Sequence, residues 1–139
     1  MILLDTNVFS ALMQQKPEMQ VVRWLDAQPR ISVWTTAVTL FEIRFGLRAM
    51  AAGKRQRALT EAFEFLLAQL LESRVAPFDS AAAEAASDLM AARRKKGLSG
   101  ELRDTMIAGI ALATHATLAT RNMRHFEDLA CPLVNPWEP

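Results

Sequence analysis

The chain begins with four apolar residues that run directly into a carboxylate, in the segment MILLDTNVFS. An apolar run without alternation is typical of a strand buried on both faces, as in the middle of a parallel sheet. We therefore predict a strand over residues 1–5 that ends at Asp5. Similar short runs rich in apolar residues predict further strands over residues 31–34, 74–78, 116–120 and 131–134.

Segments with a helical spacing of apolar residues lie between these runs. Thr6 is a candidate cap for the first of them, and Asp79 or Ser80 for the fifth. The predicted helices cover residues 7–15, 21–28, 36–51, 54–72, 80–96 and 103–114. Strands that alternate with helices imply a parallel sheet covered on both sides. We predict a single α/β domain over residues 1–139, with a central parallel sheet of about five strands flanked by helices.

Composition narrows the class of protein only moderately. A chain of 139 residues with 51% hydrophobic residues can bury one core. Its formal net charge of +1 does not by itself indicate a nucleic-acid binder. One cysteine excludes an internal disulfide framework and a zinc cage built from cysteines. No signal peptide precedes the first strand, and no uncharged stretch reaches the roughly 20 residues that span a bilayer. We expect a cytoplasmic protein.

Three carboxylates fall where a simple solvated surface is not expected. Asp5 ends a buried strand, Glu42 lies on the apolar helical stripe Val38–Glu42–Phe45–Ala49, and Asp104 shares a helical face with alanines. Each has a structural alternative: Asp5 can start a turn, Glu42 can be a solvated helix residue, and Asp104 can complement the dipole of its helix.

A buried carboxylate is costly unless it is paired, hydrogen-bonded or bound to a metal. Three carboxylates beside the carboxyl edge of one sheet would repel one another without a cation between them. Oxygen ligands without cysteine favour Mg²⁺ or Mn²⁺. A metal ion held by three carboxylates suits the hydrolysis of a phosphodiester, in which the metal activates a water molecule.

Four segments in this order, LLDTNV, TTAVTLFEI, DTMIAGIAL and LATRNMRHF, resemble the PIN-domain ribonucleases. More narrowly, they resemble the VapC/FitB-type toxins of bacterial type II toxin–antitoxin modules. The resemblance implies an endoribonuclease that depends on Mg²⁺ or Mn²⁺ and cleaves RNA. It also implies neutralisation by a small VapB/FitA-like antitoxin, with a homodimer and toxin–antitoxin hetero-oligomers as assemblies.

The same resemblance assigns roles to individual residues. Asp5, Glu42 and Asp104 match the catalytic acids, and Asp5 and Asp104 are the expected metal ligands. The matching polar positions that support them are Asn7, Thr120, Asn122 and His125. The last of these departs from the family pattern, because many relatives carry an acid where this chain has His125. Whether the site holds one metal or two stays open.

Basic residues near these segments are candidate contacts for RNA phosphates. Arg121 and Arg124 flank the expected site. The run RRKK at 93–96 has two interpretations, a solvated helix end and part of an RNA path. The helices at 36–51 and 54–72 also carry more apolar side chains than one buried face requires. Leu47, Met50, Phe65 and Leu66 are therefore candidates for docking a partner helix.

Two other functions compete with the ribonuclease as interpretations of this sequence. A phosphatase of the haloacid-dehalogenase kind also places an aspartate after its first strand, but its chemistry needs a second acid two residues later, where this chain has Asn7. A catalytically weak PIN-like module that acts through its antitoxin and operator complex is the alternative that His125 keeps open.

Overall fold

Five short strands form one fully parallel sheet in the order β3-β2-β1-β4-β5. They come from a computed structural model that describes all 139 residues. The strands are β1 (Ile2–Leu4), β2 (Val33–Thr36), β3 (Val75–Ala76), β4 (Thr117–Ala119) and β5 (Leu133–Val134). The predicted α/β domain with five parallel strands is confirmed.

Six α-helices cover the two faces of this sheet. They are α1 (Thr6–Met13), α2 (Met19–Asp26), α3 (Ala37–Ala49), α4 (Lys54–Phe65), α5 (Ser80–Lys95) and α6 (Leu102–Thr114). None of these helices combines the length and the apolar character needed to cross a membrane.

The central strand β1 divides the core into two clusters. Leu4 packs with side chains of α1 to α4, and its neighbour Leu3 packs on the opposite face with side chains of α5 and α6. Both leucines are 0% exposed. Successive side chains of a strand point to opposite faces, so a strand without polar alternation can serve two cores at once.

The order of the strands reverses beside β1. The chain adds β2 and β3 on one side and then β4 and β5 on the other. The backbone N–H of Asp5 donates to the carbonyl of Ala119 at 2.9 Å, so the chain segments that leave β1 and β4 lie side by side. Ligand sites of open parallel sheets form at such a switch point.

The predicted start of α1 and the predicted end of β2 were wrong, because polar side chains form hydrogen bonds there that the apolar pattern does not show. The first helix begins at Thr6 rather than after it, because Asp5 is its cap and accepts a bond from the N–H of Thr6. Strand β2 runs through two threonines, Thr35 and Thr36, that the predicted strand at 31–34 left out. Both are buried because each hydroxyl has a partner, Leu4 O for Thr35 and Thr39 Oγ1 for Thr36.

The predicted apolar stripe of α3 was also wrong. The buried residues of this helix are Val38, Thr39, Ile43 and Leu47. Phe45, which was placed in the core, is 61% exposed and stacks on the equally exposed Phe41 with ring centroids 6.5 Å apart. The spacing of Thr39, Ile43 and Leu47 defines the buried face, which shows that the two phenylalanines mark the outer side.

The predicted helix over 54–72 is continuous only as far as Phe65. A wider π-helical segment, Leu66–Leu70, follows it, and Leu71 donates its N–H to the carbonyl of Leu66 at 3.0 Å. The chain then turns through left-handed conformations at Glu72 and Ser73 before entering β3. Leu71 is completely buried at the end of this segment.

Helices α5 and α6 pack unusually closely at Gly109. A Cβ atom at this position would lie 2.5 Å from the carbonyl oxygen of Ala82 and 2.7 Å from the Cβ of Ala86. These distances are too short for any side chain, so the absence of a side chain at Gly109 sets the separation of the two helices. This separation in turn positions the start of α6, which carries Asp104.

We expect Gly109→Ala to destabilise the fold by about 1–3 kcal/mol, because the added methyl group meets backbone atoms that cannot move cheaply. The matched control is Gly46→Ala in α3, where no atom lies within 4 Å of the added Cβ. That change should stabilise the helix by roughly 0.5–1 kcal/mol. Urea unfolding measures both variants. Equal effects of the two substitutions would contradict the close packing.

Candidate active site

Asp5 stands at the centre of the candidate site, at the carboxyl end of β1. It is 2% exposed. Its Oδ1 accepts the N–H of Thr6 at 2.8 Å, and its Oδ2 accepts the hydroxyl of Thr120 at 2.7 Å and the side-chain amide of Asn7 at 3.1 Å. The strand end and three donors therefore fix the orientation of this carboxylate.

Glu42 reaches the same edge from α3, without lying on the buried face of that helix. The hydroxyl of Thr6 donates to its Oε1 at 2.7 Å. A guanidinium nitrogen of Arg103 lies 3.7 Å from its Oε2. Thr6 thus contacts two acids at once, Asp5 through its backbone and Glu42 through its side chain.

Asp104 comes from the first turn of α6. The cap of this helix, Glu101, accepts the N–H of Asp104 at 3.0 Å. Oδ2 of Asp104 lies 2.7 Å from Nδ1 of His125, within hydrogen-bond distance. The histidine at the position where an acid was expected from the family pattern therefore lies directly beside the third acid.

The three carboxylates interact electrostatically. Burial raises the pKa of Asp5, and the negative charges of Asp104 and Glu42 raise it further, while the bonds from Thr120 and Thr6 oppose this rise. The ionised form of Asp5 is therefore held in a place that disfavours it.

The side chains do not form a closed set of metal ligands as they stand. No group of three or more His, Cys, Asp or Glu side chains is arranged to hold a metal ion. Instead, Glu42 has Arg103 as a partner and Asp104 has His125. The structure brings the predicted acids to one edge of the sheet. There, the guanidinium of Arg103 contacts one oxygen atom of Glu42, and the imidazole of His125 contacts one oxygen atom of Asp104.

The predicted supporting residues have unequal roles in the structure. Asn7 links two segments, because its amide donates to Asp5 and its Oδ1 accepts the backbone N–H of Arg121 at 3.0 Å. Asn122 contributes only its backbone N–H, which donates to Oγ1 of Thr120 at 3.0 Å. Its side chain is exposed.

A cavity of about 330 Å³ opens beside Asp104 and His125. Arg124 lines this cavity and Arg121 does not. The two arginines that were predicted to contact RNA are both exposed.

Arg93, the first residue of the basic run RRKK, is neither a solvated residue nor free for RNA. It is 7% exposed, and its guanidinium donates two bonds of 2.8 Å to the carboxylate of Asp128. A third bond of 2.9 Å reaches the carbonyl of His125. The hydrogen bond from Arg93 lowers the pKa of Asp128. Arg93 therefore anchors the segment that carries His125.

Sequence reasoning missed two residues that touch the acids, Thr6 and Arg103. Thr6 was assigned only as a helix cap, although its position next to Asp5 in the DTN segment placed it at the site. Arg103 directly precedes Asp104, but adjacent residues of a helix face different directions. The sequence therefore offered no indication that Arg103 would contact Glu42 on another helix.

Acids gathered at the carboxyl edge of a parallel sheet, where the strand order reverses, define an α/β protein with an acidic edge site. Comparison with known families agrees, since the family model "PIN domain" matches residues 2–130. The chain belongs to the PIN-domain family.

Individual relatives match over nearly their whole length. "Plasmid stability protein StbB" of Pseudomonas syringae pv. tomato is 41% identical, with 99% of each chain covered. "VapC ribonuclease Y4jK" of Sinorhizobium fredii is 40% identical over all of this chain and 99% of the relative. The solved structure of "FitAcB from Neisseria gonorrhoeae" superposes with a TM-score of 0.88 at 33% identity, covering 99% of both chains.

The pKa shifts of Asp5 and Asp128 predict opposite pH dependences of stability. The pKa of Asp5 is higher in the folded protein than in the unfolded chain, where it is 3.8. Asp5 therefore has no such effect on stability below 3.8. As the pH rises from 3.8 through the folded pKa, its ionisation progressively destabilises the fold. Asp5→Asn should therefore gain stability relative to the unchanged protein as the pH rises from about 3 to about 7 in EDTA.

Asp128→Asn should do the reverse. Its lowered pKa stabilises the fold above 3.8, and this contribution is lost as the pH falls through the folded value. The variant should be less stable at neutral pH, with a deficit that shrinks in acid. Urea unfolding across this pH range measures both differences. Two curves with the same sign of slope would contradict the assignment of burial to Asp5 and pairing to Asp128.

Proposed function

We propose that this protein is a metal-dependent endoribonuclease and the toxin of a type II toxin–antitoxin module. The observation that carries the proposal is a buried Asp5, held at the switch point of the sheet within the field of Asp104 and Glu42. The family and the relative named a VapC ribonuclease support the same chemistry.

The chemistry of the donor atoms suits Mg²⁺ or Mn²⁺. Asp5 and Asp104 offer hard carboxylate oxygens, and a divalent cation would offset the burial and, to a lesser extent, the negative charges of Asp104 and Glu42 that raise the pKa of Asp5. When bound, such a cation polarises the phosphoryl oxygen and makes a bound water molecule more acidic. We assign Asp5 and Asp104 as metal ligands and Glu42 as the third catalytic acid.

The polar residues around the acids orient them. Thr120 and Asn7 hold Asp5, and Thr6 holds Glu42. Arg121 and Arg124, both exposed, are the proposed contacts for phosphates of the RNA backbone. The enzyme acts in the cytoplasm, where its RNA substrate is found.

A small VapB/FitA-like antitoxin is the proposed protein partner, in hetero-oligomers built on a toxin homodimer. A groove of about 760 Å³ between the end of α1 and α4 offers an apolar surface for it, including the exposed Phe65 and the half-buried Leu66. Leu47, one of the residues suggested for docking, is 7% exposed and belongs to the core instead. Met50 is half-buried.

One observation favours a second candidate, a catalytically weak PIN-like module that acts through its complex with the antitoxin and operator DNA. His125 places an imidazole ring beside Asp104, where a carboxylate would have added a hard oxygen ligand for a metal. Metal-dependent RNA cleavage separates the two functions.

Removing any one of the three acids should abolish most of the RNA cleavage. We expect Asp5→Asn, Glu42→Gln and Asp104→Asn each to lower the rate roughly a hundredfold or more, equivalent to several kcal/mol of barrier. Cleavage of a structured RNA with Mn²⁺, before and after EDTA, measures this loss. Asp88→Asn, on the exposed side of α5, is the matched control and should cleave normally.

Expression of the unchanged protein alone should also inhibit growth, and co-expression of the antitoxin gene should relieve the inhibition. Two acid variants that keep near-normal cleavage would refute the site assignment. A wild-type protein that does not cleave RNA with either metal, yet binds its antitoxin and DNA, would support the second candidate.

The residue at position 125 should set the demand for Mg²⁺. An added carboxylate beside Asp104 should lower the Mg²⁺ concentration for half-maximal cleavage about tenfold, the scale of one extra charge near a divalent cation. A metal titration compares His125→Asp with the neutral control His125→Asn. If both variants share the wild-type midpoint, position 125 lies outside the reach of the metal.

A further inference from the structure

The chain folds back after β5 so that an indole ring lies below the loop that follows β4. Asn135 shapes this turn: its Oδ1 accepts the N–H of Trp137 and its carbonyl accepts the N–H of Glu138, both at 3.0 Å. The Trp137 ring packs against the core cluster that contains Leu4. The C-terminal segment therefore places a fixed aromatic face at the carboxyl edge of the sheet.

The guanidinium of Arg121 lies over this face. Its central carbon is 4.7 Å from the centre of the Trp137 ring, which is a cation–π geometry. The backbone of Arg121 is also fixed, because its N–H donates to Asn7, which in turn donates to Asp5. A short chain of contacts thus connects the aromatic ring, the arginine and the central acid.

Arg121 differs from Arg93 and Arg103, two other arginines near the site, because its guanidinium is not paired with a carboxylate. Arg93 binds Asp128, and Arg103 lies between Glu42 and Glu101. The guanidinium of Arg121 makes no hydrogen bond or salt bridge within the protein, and it lies over the ring of Trp137. Its planar set of N–H donors is therefore available, and stacking lowers the loss of side-chain freedom when a ligand binds.

We propose that Trp137 is a positioning residue that holds Arg121 ready for a phosphate of the RNA backbone beside Asp5. Planar N–H donors match phosphate oxygens, and an RNA chain cleaved at the acids must place consecutive phosphates next to them. This inference rests on the proposed ribonuclease function and assigns part of its substrate contact to the C-terminal segment.

The test measures the affinity for a labelled single-stranded RNA in EDTA, where no cleavage occurs, over a range of salt concentrations. Arg121→Ala should weaken binding about tenfold and reduce the slope of log K against log salt by roughly 0.7, the value for one phosphate. Trp137→Leu should weaken binding about two- to fivefold with little change in slope, because the charge remains.

Trp137→Phe should restore most of the affinity. The indole N–H of Trp137 is buried and has no hydrogen-bond partner, so phenylalanine keeps an aromatic face and leaves no acceptor unpaired. In the Arg121→Ala background, Trp137→Leu should cost nothing further. Arg23→Ala, which removes an equal charge from an exposed position of α2, is the control and should bind normally. With Mn²⁺ present, Trp137→Leu should raise KM and leave kcat unchanged.

Three outcomes would overturn the inference. The Arg121→Ala variant could bind RNA with normal affinity, or Trp137→Leu could reduce the affinity equally with and without Arg121. The third outcome is a loss of affinity for the antitoxin with no loss of affinity for RNA. Unfolding midpoints show whether each variant is folded. A wild-type protein that neither binds nor cleaves RNA refutes the proposed function itself, together with this inference. If the wild-type protein binds and cleaves RNA but Arg121→Ala does not change its affinity for RNA, only the inference is refuted.

Discussion

The structure depends on one ionisable carboxyl group at the end of a strand whose last two residues, Leu3 and Leu4, are completely buried. Asp5 follows Leu3 and Leu4, which fill the two cores on either side of the sheet. Burial of a carboxylate is tolerated only where its oxygen atoms are satisfied. The backbone N–H of Thr6 and the hydroxyl of Thr120 satisfy them here. The same bonds that allow Asp5 to be buried also hold it in a single orientation, which a ligand for a cation requires.

Threonine hydroxyls carry much of this arrangement without adding charge. All the buried polar residues except Asp5 and Arg93 are threonines. The hydroxyl of Thr6 lies within hydrogen-bond distance of both Glu42 and Thr39, and the N–H of Thr39 donates to the hydroxyl of Thr36, which caps α3. A hydroxyl group can donate to a carboxylate while it accepts from a neighbouring group. Helices α1 and α3 are thereby connected through neutral groups, and the negative charge stays concentrated on the acids.

The sequence could predict the features that depend on local order and on the period of apolar residues. Short apolar runs between helical segments were sufficient for the five strands, and the position of Asp5 after one of them indicated the site. Contacts between distant segments could not be predicted in this way. Arg93 belongs to a basic run that is typical of a solvent-exposed helix end, and its partner Asp128 lies 35 residues further along the chain. Phe45 has the spacing of a core residue, and only the packing of α3 against its neighbours shows that it is exposed.

The contact between Arg93 and the backbone of residue 125 anchors this segment without using the side chain that lies beside Asp104. Arg93 donates to the carbonyl of His125, and Asp128 holds the guanidinium that makes this bond. Neither contact involves the side chain of residue 125. The backbone therefore stays in place whether that side chain is an imidazole, as here, or a carboxylate. A substitution at position 125 would therefore change the group that faces Asp104 while the anchor formed by Arg93 and Asp128 is retained.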